Sequence, residues 1–574
     1  MNTTGRPKPV CLYEGGAAVK RFEDRTVYEI YPRSFMDSNN DGIGDLPGIL
    51  SRLDDLQKLG VTDLWITPIY PSPGCDNGYD VADYRAIDPV FGTMEDFELL
   101  VKEADKRGIS IMMDMVFNHT STEHEWFQKA LAGDPKYQDY YIWKEPKEDG
   151  SLPTNWVSKF SGPVWEYVPQ VGKYYLHLFD KGQADLNWEN PAVRKECAEI
   201  VRFWMDKGVK GFRFDVINLI SKAAYEDDQE WDGRRFYTDG PRIHEFLHEL
   251  NENSFGQDPA VITVGEMSST TLENARQYAD ADSHELDMVF SFHHLKVDYK
   301  DKEKWSDMKP DLDELKKLLF DWQSGLQETG SWNTLFLNCH DQPRSVERFG
   351  NVSEYRSESA KALATMMQMM RGTPYLMQGE EIAMKNNGFT SLQQYRDVES
   401  LNAFEIMKEH GLDEQSALKI LGSKSRDNAR GTMPWNMEEH NGFSKGTPWI
   451  ITEEKDPAWT LEEQKKNPDS VWNHYRKLIA LRKEHEVIAT GTFIPLLENV
   501  HGVIAYQRKG EAEEALVITS LLDEAVTIEL EDAEGWKPEL SSYPDLQKAE
   551  KKMTLRPYES ILYFRSRETE DRAQ

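Results

Sequence analysis

The stretch RKECAEIVRFWMDKGVKGFRFDVI (194–217) places an amphipathic helix, a glycine and a hydrophobic strand in direct succession. Apolar residues recur at helical spacing up to Gly208, and VKGFRFDVI (209–217) has the composition of a buried strand. The same order recurs where residues 46–56 precede VTDLWITPIY (61–70) and where residues 97–101 precede ISIMMDMVF (109–117). Repeated units of this kind predict a parallel sheet with helical crossovers.

The number of these units distinguishes between the two common parallel architectures. AVITVGE (260–266) and NTLFLNCHD (333–341) add further strand-like runs. More than five units over roughly 450 residues favour a closed barrel over an open doubly wound sheet. The first unit also lacks the glycine-rich phosphate loop of a dinucleotide fold. We therefore predict the α/β class with a (β/α)8 TIM barrel.

Two regions depart from this alternation. Residues 120–186 are rich in Trp, Tyr, Pro and Gly, have weak helical periodicity and follow the third strand, so they predict a small inserted domain. From about residue 490, short alternating runs such as GVIAYQRKG and ESILYFRS predict an antiparallel β-sandwich. The predicted domains are the catalytic barrel (25–119 and 187–487), the inserted domain (120–186) and the C-terminal β domain (488–574).

Composition excludes several classes of protein. The 574 residues include 67 Lys and Arg against 100 Asp and Glu, and the formal net charge of −33 argues against binding to nucleic acids or anionic membranes. No apolar run is long enough to span a membrane, the N-terminus does not resemble a signal peptide, and the four cysteines form no CxxC pair. We expect a cytoplasmic enzyme. The sequence says little about oligomeric state, for which a monomer is the default expectation.

Polar residues end the predicted strands, where a barrel of this kind carries its active site. They are Asn118 and His119, Arg213 and Asp215, Glu266, and His340 and Asp341. Arg213 and Asp215 are two positions apart on a strand, so their side chains point to the same side. Three carboxyl groups and a guanidinium suit glycoside hydrolysis, which needs a proton donor and a carboxylate opposite the anomeric carbon. The adjacent cation favours the ionised nucleophile.

The motifs DMVFNH (114–119), GFRFD (211–215), VGE (264–266) and CHD (339–341) resemble the four signature regions of the α-amylase superfamily of retaining glycosidases. The resemblance implies that Asp215 is the nucleophile, Glu266 the general acid/base and Asp341 the residue that stabilises the distorted sugar. It further implies a set of sugar-binding residues: His119, Arg213 and His340 around the sugar, and Asp76, Tyr79 and Arg430 at its non-reducing end. Cys339 departs from the pattern, because relatives usually carry Asn there.

The segment DSNNDGIGD (37–45) alternates oxygen-bearing side chains around a glycine, as hard cations prefer. Gly48 stands where an EF-hand supplies its bidentate glutamate, so the segment is not an EF-hand. The resemblance implies a structural Ca²⁺ or Mg²⁺ and no organic cofactor. The predicted metal ligands are Asp37, Asn39, Asp41, Ile43 and Asp45.

Longer stretches of the sequence limit the range of possible substrates. Val216 directly follows the proposed nucleophile, which resembles enzymes that act on α-1,6 and related linkages. GRRFYTDGPRIHEFLHELN (233–251), TVGEMSSTTLE (263–273), FHHLKVDYKDKEKW (292–305) and YRDVESLN (395–402) resemble the trehalose-6-phosphate hydrolases. This resemblance implies hydrolysis of trehalose 6-phosphate to glucose and glucose 6-phosphate. Two alternatives stay open: an oligo-1,6-glucosidase or dextran glucosidase acting on neutral sugars, and a transglucosidase of the trehalose synthase or sucrose isomerase type.

A phosphorylated disaccharide needs cations on the leaving-group side of the site. Lys296, thirty positions after Glu266, is the principal candidate, and Lys302, Lys304, Arg234 and Arg235 are further candidates. The net charge of −33 opposes an anionic substrate. The hypothesis therefore predicts a local positive pocket within an acidic protein.

Overall fold

The structure is a computed structural model that describes residues 22–567 except residues 231 and 453. Its strands in chain order are β1 (Val27–Ile30), β2 (Asp63–Ile66), β3 (Ser110–Val116), β4 (His119–Ser121), β5 (Trp143–Lys144), β6 (Trp165–Val168), β7 (Lys173–Leu176), β8 (Gln183–Asp185), β9 (Gly211–Asp215), β10 (Ile262–Met267), β11 (Met288–Ser291), β12 (Thr334–Leu335), β13 (Thr373–Met377), β14 (Thr492–Leu496), β15 (Val503–Lys509), β16 (Glu513–Ser520), β17 (Val526–Glu529), β18 (Lys537–Ser541), β19 (Lys552–Leu555) and β20 (Ser560–Ser566).

The α-helices in chain order are α1 (Leu46–Ser51), α2 (Leu53–Leu59), α3 (Met94–Asp105), α4 (Glu125–Leu131), α5 (Pro135–Gln138), α6 (Pro191–Asp206), α7 (Arg234–Tyr237), α8 (Ile243–Glu252), α9 (Leu272–Tyr278), α10 (Leu312–Thr329), α11 (Ser345–Phe349), α12 (Arg356–Gln368), α13 (Val398–Glu409), α14 (Glu414–Lys424), α15 (Leu461–Lys466), α16 (Val471–Glu484) and α17 (Glu486–Thr490). No helix among the described residues is long and apolar enough to cross a membrane.

Eight parallel strands form the central barrel. Their order around the sheet is β11, β10, β9, β3, β2, β1, β13 and β12. A parallel bridge between Val289 of β11 and Asn333, next to β12, joins the two ends. In this register Arg213 of β9 lies opposite Asp114 of β3 on one side and Val264 of β10 on the other. The predicted (β/α)8 barrel is confirmed.

Helix α6, which precedes β9, shows how the sequence determines a helix of the barrel. Asn190 caps α6 because its side chain accepts a hydrogen bond from the Ala192 N–H at 2.8 Å, and Pro191 occupies the first helical position. The buried face of α6 includes Ile200, Val201 and Trp204. Each such side chain contributes about 1.5–3 kcal/mol when fully buried. Trp204 of this face packs on Tyr70, after β2, and on Phe97 of α3, with ring centroids 5.7 and 5.1 Å apart.

Two predicted elements differ from the structure. The helix expected over 46–56 is divided at Arg52 into α1 and α2. The strand expected over 333–341 is confined to Thr334–Leu335. Beyond it the chain forms a loop, in which Asn338 bonds both the backbone N–H and the hydroxyl of Ser345, at 2.7 and 2.9 Å. Asp341 therefore lies on a loop and not at the end of a strand.

The inserted segment between β4 and β8 has its own small sheets. β4 pairs with β8, and β5, β7 and β6 form an antiparallel sheet. Trp156, Trp165 and Leu176 are buried together in a separate apolar cluster. Most of the aromatic residues of this segment therefore form a core, although Tyr167 is exposed.

The C-terminal strands form two antiparallel sheets: β14, β15, β16, β20 and β18 in one, and β17 with β19 in the other. Ile518 and Tyr563 of the first sheet share an apolar cluster with Ile528 and Leu555 of the second. This packing is the β-sandwich that the alternating pattern predicts. The exact domain boundaries stay a prediction, and residues 568–574 lie outside the described part of the chain.

Candidate active site

Arg213 lies at the centre of the site. Its Nη1 donates to both carboxylate oxygens of Asp114, at 2.8 and 3.0 Å, and to Asp215 Oδ1 at 2.7 Å. Its Nη2 donates to Glu266 Oε2. β3, β9 and β10 are neighbours in the barrel, so one buried guanidinium joins the carboxyl groups of three adjacent strands. Asp215 and Glu266 are thereby brought together, as the sequence predicts.

The backbone after Asp215 is strained. Val216 has φ 36° and ψ 39°, a left-handed conformation that a β-branched residue rarely adopts. Its N–H donates to Glu266 Oε2 at 3.3 Å. The turn thus directs one more hydrogen-bond donor at the Glu266 carboxyl group.

Asp215 and Glu266 are electrostatically linked. Burial raises the pKa of Asp215; the charge of Arg213 opposes this shift, and the charges of Glu266 and Asp114 reinforce it. A pair that retains one proton can supply both an acid and a nucleophile, which a retaining glycosidase requires.

Asp341 is held by three cationic groups. His340 Nε2 lies 3.2 Å from Asp341 Oδ2, and Arg430 Nη2 and Arg426 Nη1 lie 3.1 and 3.2 Å from Oδ1. Although desolvation opposes the shift, the charges of these groups hold the pKa of Asp341 well below its usual range. Asp341 is therefore a carboxylate at neutral pH.

His340 owes its charge to two carboxylates. Its Nδ1 lies 2.6 Å from Glu29 Oε1, and its ring stacks on Tyr79 with centroids 5.1 Å apart. Burial opposes protonation, but Asp341 and Glu29 raise the pKa of His340 to about 9. Glu29 was not among the predicted residues. The available signal was an acidic residue within the otherwise apolar strand VYEI.

The predicted non-reducing-end residues lie around the same space. Tyr79 donates its hydroxyl to Asp114 Oδ2 at 2.9 Å, and Arg430 contacts Asp341. Arg426 Nη2 lies 3.1 Å from Asp76 Oδ1, so Asp76 is joined to this group. Arg426 was not among the predicted residues, although it belongs to the same SRDNAR segment as Arg430.

His119 lies next to Tyr79 and Gln183. Its Nε2 is 3.0 Å from the Tyr79 carbonyl oxygen and 3.1 Å from Gln183 Nε2. Gln183 in turn donates to Asp76 Oδ2 at 3.1 Å. Burial lowers the pKa of His119. His119 is therefore a neutral hydrogen-bonding residue, in contrast to His340.

Cys339 is buried beside these groups. Burial raises the pKa of its thiol well above the usual value, and the charges of Glu29 and Asp341 add to the shift. The side chain that replaces the usual Asn is therefore neutral.

A cavity of about 970 Å³ lies after the end of β10, and its lining includes Ser268 and Ser269, which follow Glu266 by two and three positions. Its lining includes every basic residue that the sequence analysis proposed for a phosphate, and one that it did not propose, Lys159. The basic lining residues are Lys159, Arg234, Arg235, Lys296, Lys302 and Lys304.

Three of the basic lining residues already form ion pairs with carboxylates. Arg234 lies 2.6 Å from Asp232, Arg235 lies 3.1 Å from Asp228, and Lys304 lies 2.6 Å from Glu399. Lys159 and Lys296 differ, because neither forms an ion pair with a carboxylate of the described residues. Lys296 donates to the Ser268 carbonyl oxygen at 3.2 Å, and Lys159 faces the Tyr237 ring at 5.2 Å.

The surroundings of Lys159 and Lys296 lower the pKa of both ammonium groups. Burial, followed by repulsion from Arg234, lowers the pKa of Lys159 to about 7 and that of Lys296 to about 8. The Glu266 charge opposes both shifts, which places both lysines within electrostatic reach of that residue. The two lysines thus form a cationic pair on one side of Glu266.

The predicted metal-binding segment is a compact loop. Asp37 accepts hydrogen bonds from the backbone N–H groups of Asn39, Asn40 and Gly42 at 2.7–2.9 Å. Asp45 accepts hydrogen bonds from the N–H groups of Ser38 and Gly48 at 3.1 and 2.7 Å. No group of three or more His, Cys, Asp or Glu is arranged to hold a metal ion in the part of the chain described.

The oxygen donors of this loop nevertheless fit a hard cation. Asp37 and Asp45 are buried, and no Lys, Arg or His in the described ranges forms an ion pair with either. Burial raises the pKa of Asp45, and the charge of Asp37 adds to the shift. Asp41 and Asn39 lie on the exposed side of the loop, where each side chain bonds one backbone N–H.

Known proteins resemble the chain over nearly its whole length. The alpha amylase catalytic domain family matches residues 29–491, and the alpha-amylase SusG C-terminal domain family matches residues 503–562. The trehalose-6-phosphate hydrolase of Bacillus subtilis (strain 168) is 50% identical, over 94% of this chain and 97% of its own. The oligo-1,6-glucosidase of Parageobacillus thermoglucosidasius is 46% identical, over 94% of this chain and 98% of its own.

A solved structure is also similar to this chain over nearly its whole length. The crystal structure of Bacillus licheniformis trehalose-6-phosphate hydrolase has a TM-score of 0.91 and 49% identity, and the match covers 95% of this chain and 100% of that one. Sequence, fold and the carboxyl groups around Arg213 all agree. The chain belongs to the alpha-amylase family of glycoside hydrolases.

Proposed function

We propose that this enzyme is a retaining exo-α-glucosidase that hydrolyses trehalose 6-phosphate to glucose and glucose 6-phosphate. Its similarity to trehalose-6-phosphate hydrolases supports the proposal. The observation that carries it is the Lys159–Lys296 pair, which lines the cavity after the end of β10 without a carboxylate partner among the described residues.

The position of this pair matches what a phosphorylated leaving group needs. The general acid contacts the oxygen that joins the two sugars, so the leaving group has to lie on the Glu266 side of the site. A phosphate monoester carries nearly two negative charges at neutral pH. Lysine binds such a group as a point charge without fixed orientation. Lys302, Lys304, Arg234 and Arg235 add positive charge around the same cavity.

In the first chemical step, Glu266 donates its proton to the glycosidic oxygen while an oxygen of Asp215 attacks the anomeric carbon. The bond from that carbon to the leaving oxygen breaks, and glucose 6-phosphate departs with the proton. Asp341, kept ionised by His340, Arg426 and Arg430, stabilises the positive charge that develops on the sugar ring. The product is a glucosyl ester of Asp215.

In the second step, a water molecule attacks the same carbon and Glu266 accepts its proton. The ester bond to Asp215 breaks, and glucose leaves with retained configuration. Arg213 contacts Asp215 in the free enzyme and can stabilise the carboxylate that is released. His119, Asp76 and Tyr79 line the pocket that would hold the glucosyl unit.

A neutral-sugar glucosidase is the second candidate. An oligo-1,6-glucosidase is 46% identical to this chain, and the lining of the cavity also includes Asp228, Glu230, Asp232, Glu303 and Glu399. These carboxylates lower the net positive charge that a phosphate would meet. A transglucosidase of the trehalose synthase or sucrose isomerase type would use the same covalent intermediate and replace water with a sugar hydroxyl.

The deciding experiment offers trehalose 6-phosphate, trehalose, isomaltose and sucrose at equal concentrations. Glucose and glucose 6-phosphate are quantified separately. We expect kcat/KM to be highest for trehalose 6-phosphate, with the two products formed in equal amounts. Faster cleavage of isomaltose would support the oligo-1,6-glucosidase assignment, and isomeric disaccharides as products would support a transglucosidase.

We also propose that the loop of Asp37, Asn39, Asp41, Ile43 and Asp45 holds a structural Ca²⁺ or Mg²⁺, with the Ile43 carbonyl as one ligand. The carboxylates of Asp37 and Asp45 support this proposal, because both are buried and neither has a Lys, Arg or His partner in the described part of the chain. A bound cation would neutralise them and tie the loop to the segment that carries Ser444, whose hydroxyl donates to Asp37 at 2.5 Å. The loop takes no part in the chemical steps above.

We further propose a cytoplasmic monomer. Cys75, Cys197 and Cys339 are free thiols, which is typical of a reducing compartment. Light scattering after size exclusion, and fractionation of cells that express the protein, would test the two parts separately.

A further inference from the structure

Glu399 lies between the cavity lined by Lys159 and Lys296 and the pocket proposed for the glucosyl unit. It occupies the first turn of α13 and lines the cavity that contains Lys159 and Lys296. One carboxylate oxygen, Oε2, lies 2.6 Å from Lys304 Nζ and 3.4 Å from Arg426 Nε. A single oxygen therefore contacts a cation of the cavity and a cation of the glucosyl pocket.

Arg426 does not depend on Glu399 for its position. Its Nη2 lies 2.5 Å from Asp397 and 3.1 Å from Asp76, and its Nη1 lies 3.2 Å from Asp341. Burial of Arg426 opposes its protonation, but the charges of Asp397, Asp76 and Asp341, followed by that of Glu399, raise its pKa well above the usual value. Arg426 would keep three carboxylate partners if Glu399 lost its charge.

Lys304 has a different environment. Glu399 is the carboxylate within ion-pair distance of its ammonium group among the described residues, and the ring of Trp305 lies 4.7 Å from Nζ. An ammonium group has three donors, so Lys304 can bind another anion without leaving its position. The Glu399 side chain is only 19% exposed, which limits the screening of its charge by water.

We propose that Glu399 is an exchangeable counter-ion that sets the preference between phosphorylated and neutral leaving groups. Without phosphate it neutralises Lys304. When a phosphorylated sugar enters the cavity, Lys304 turns its donors to the phosphate, and Glu399 keeps its contact with Arg426. The exchange costs part of the affinity for phosphate and leaves the cavity nearly neutral for an unphosphorylated sugar. This inference rests on the proposed function.

The test uses a neutral 4-nitrophenyl α-glucoside as substrate, with glucose 6-phosphate and glucose as competing inhibitors. In Glu399→Gln we expect the inhibition constant of glucose 6-phosphate to fall about three- to tenfold, as expected when a repulsive charge is removed near a partly buried anion. The constant for glucose should change less than about twofold, since glucose carries no charge. In Lys304→Ala the constant for glucose 6-phosphate should rise about tenfold.

The double variant separates exchange from simple repulsion. If Glu399 acts through Lys304, most of the gain from Glu399→Gln disappears in Lys304→Ala/Glu399→Gln. Glu405→Gln is the matched control, because it removes an exposed carboxylate from the same helix outside the cavity. It should leave both inhibition constants unchanged.

Each remaining outcome has a clear meaning. An unchanged ratio of the two inhibition constants in Glu399→Gln would overturn the exchange, as would equal losses for both inhibitors. Full additivity in the double variant would also overturn it. If glucose 6-phosphate inhibits the unmodified enzyme no better than glucose does, the proposed function itself is contradicted. This result differs from those that contradict only the exchange at Glu399, so the two hypotheses are tested separately.

Discussion

Arg213 brings the carboxyl groups of Asp114, Asp215 and Glu266 around one buried guanidinium. At the scale of single residues, this contact explains how acidic side chains can be buried so close together. Removing the positive charge would leave buried carboxylates uncompensated, at a cost of about 3–5 kcal/mol. The same residue thus maintains both the stability and the charge state of the site.

Asp215→Asn tests the nucleophile. An amide cannot form the glucosyl ester, so we expect kcat to fall by about 10⁴-fold or more. The melting temperature should change little, because Asn keeps the size of the side chain and an oxygen that can accept from Arg213. Activity close to that of the unmodified enzyme would contradict the assignment of Asp215.

Lys159→Ala and Lys296→Ala test the cationic pair. Each should raise KM for trehalose 6-phosphate about tenfold or more, because each removes a charge-assisted contact to phosphate. KM for a neutral aryl α-glucoside should stay within about twofold, since it makes no such contact. Lys147→Ala is the control, because Lys147 pairs with Asp227 outside the cavity. Equal losses on both substrates would indicate a structural role.

The pKa values of these lysines give a pH dependence. Their depressed values of about 7 and about 8 mean that each ammonium is charged below its pKa and neutral above it. KM for trehalose 6-phosphate should therefore rise about tenfold from pH 7 to pH 9, while KM for the neutral glucoside stays nearly constant. The same pH series in Lys159→Ala should give a smaller rise. Parallel curves for both substrates would rule out the lysines as the cause.

At the scale of secondary structure, the loops after the strands determine the site more than the strands do. β9 and β10 supply Asp215 and Glu266, but Asp341, Arg426 and Glu399 come from a loop, a 3₁₀ turn and a helix start. β12 spans only Thr334–Leu335, so the segment to Asp341 is free to turn over the barrel mouth. This is why Asp341 can contact both His340 and Arg430.

Metal addition tests the loop of residues 37–45. Saturating Ca²⁺ or Mg²⁺ should raise the melting temperature by about 2–5 °C after treatment with a chelator, because a ligand that binds the folded state stabilises it. Asp41→Asn should weaken this response while it keeps the hydrogen bond to the Ile43 N–H. Asp54→Asn, in α2, serves as the control. A melting temperature that is insensitive to both metals would contradict the proposal.

The sequence predicted the elements with strong periodicity and missed what depends on long-range contacts. β3 and β9 lie inside their predicted runs, and β10 extends one residue beyond its run, because buried parallel strands are nearly continuous in apolar residues. Glu29, Lys159 and Arg426 were not predicted, since their partners lie far away in the chain: Glu29 meets His340 across 311 positions. Ordinary spacing rules carry no information on such contacts.

At the scale of the whole molecule, an acidic protein contains a cavity whose described lining has six Lys and Arg side chains against five Asp and Glu side chains. The net charge of −33 creates a field that repels anions at a distance, whereas Lys159 and Lys296 attract them locally. Distant charges are screened by salt more strongly than buried ones. The two effects therefore differ in their response to ionic strength.

Raising the ionic strength from about 10 mM to about 150 mM should increase kcat/KM for trehalose 6-phosphate by about twofold, because it screens the distant repulsion first. The value for the neutral glucoside should not change. Sodium chloride and potassium chloride should give the same result if the effect is screening alone. A steep fall with salt would mean that the local lysines dominate at long range as well.

The contact between Glu29 and His340 also has a consequence for synthesis. β1 pairs with β2 on one side and with β13 on the other, so the earliest strand of the described residues needs a strand that is synthesised late as its neighbour. At about 5–20 residues per second, roughly 15–60 s separate the synthesis of Glu29 from that of His340. During that time a polar side chain within an apolar strand has no histidine to bind. The nascent chain therefore carries an incomplete edge, and the catalytic pocket comes into being only after most of the barrel has been translated.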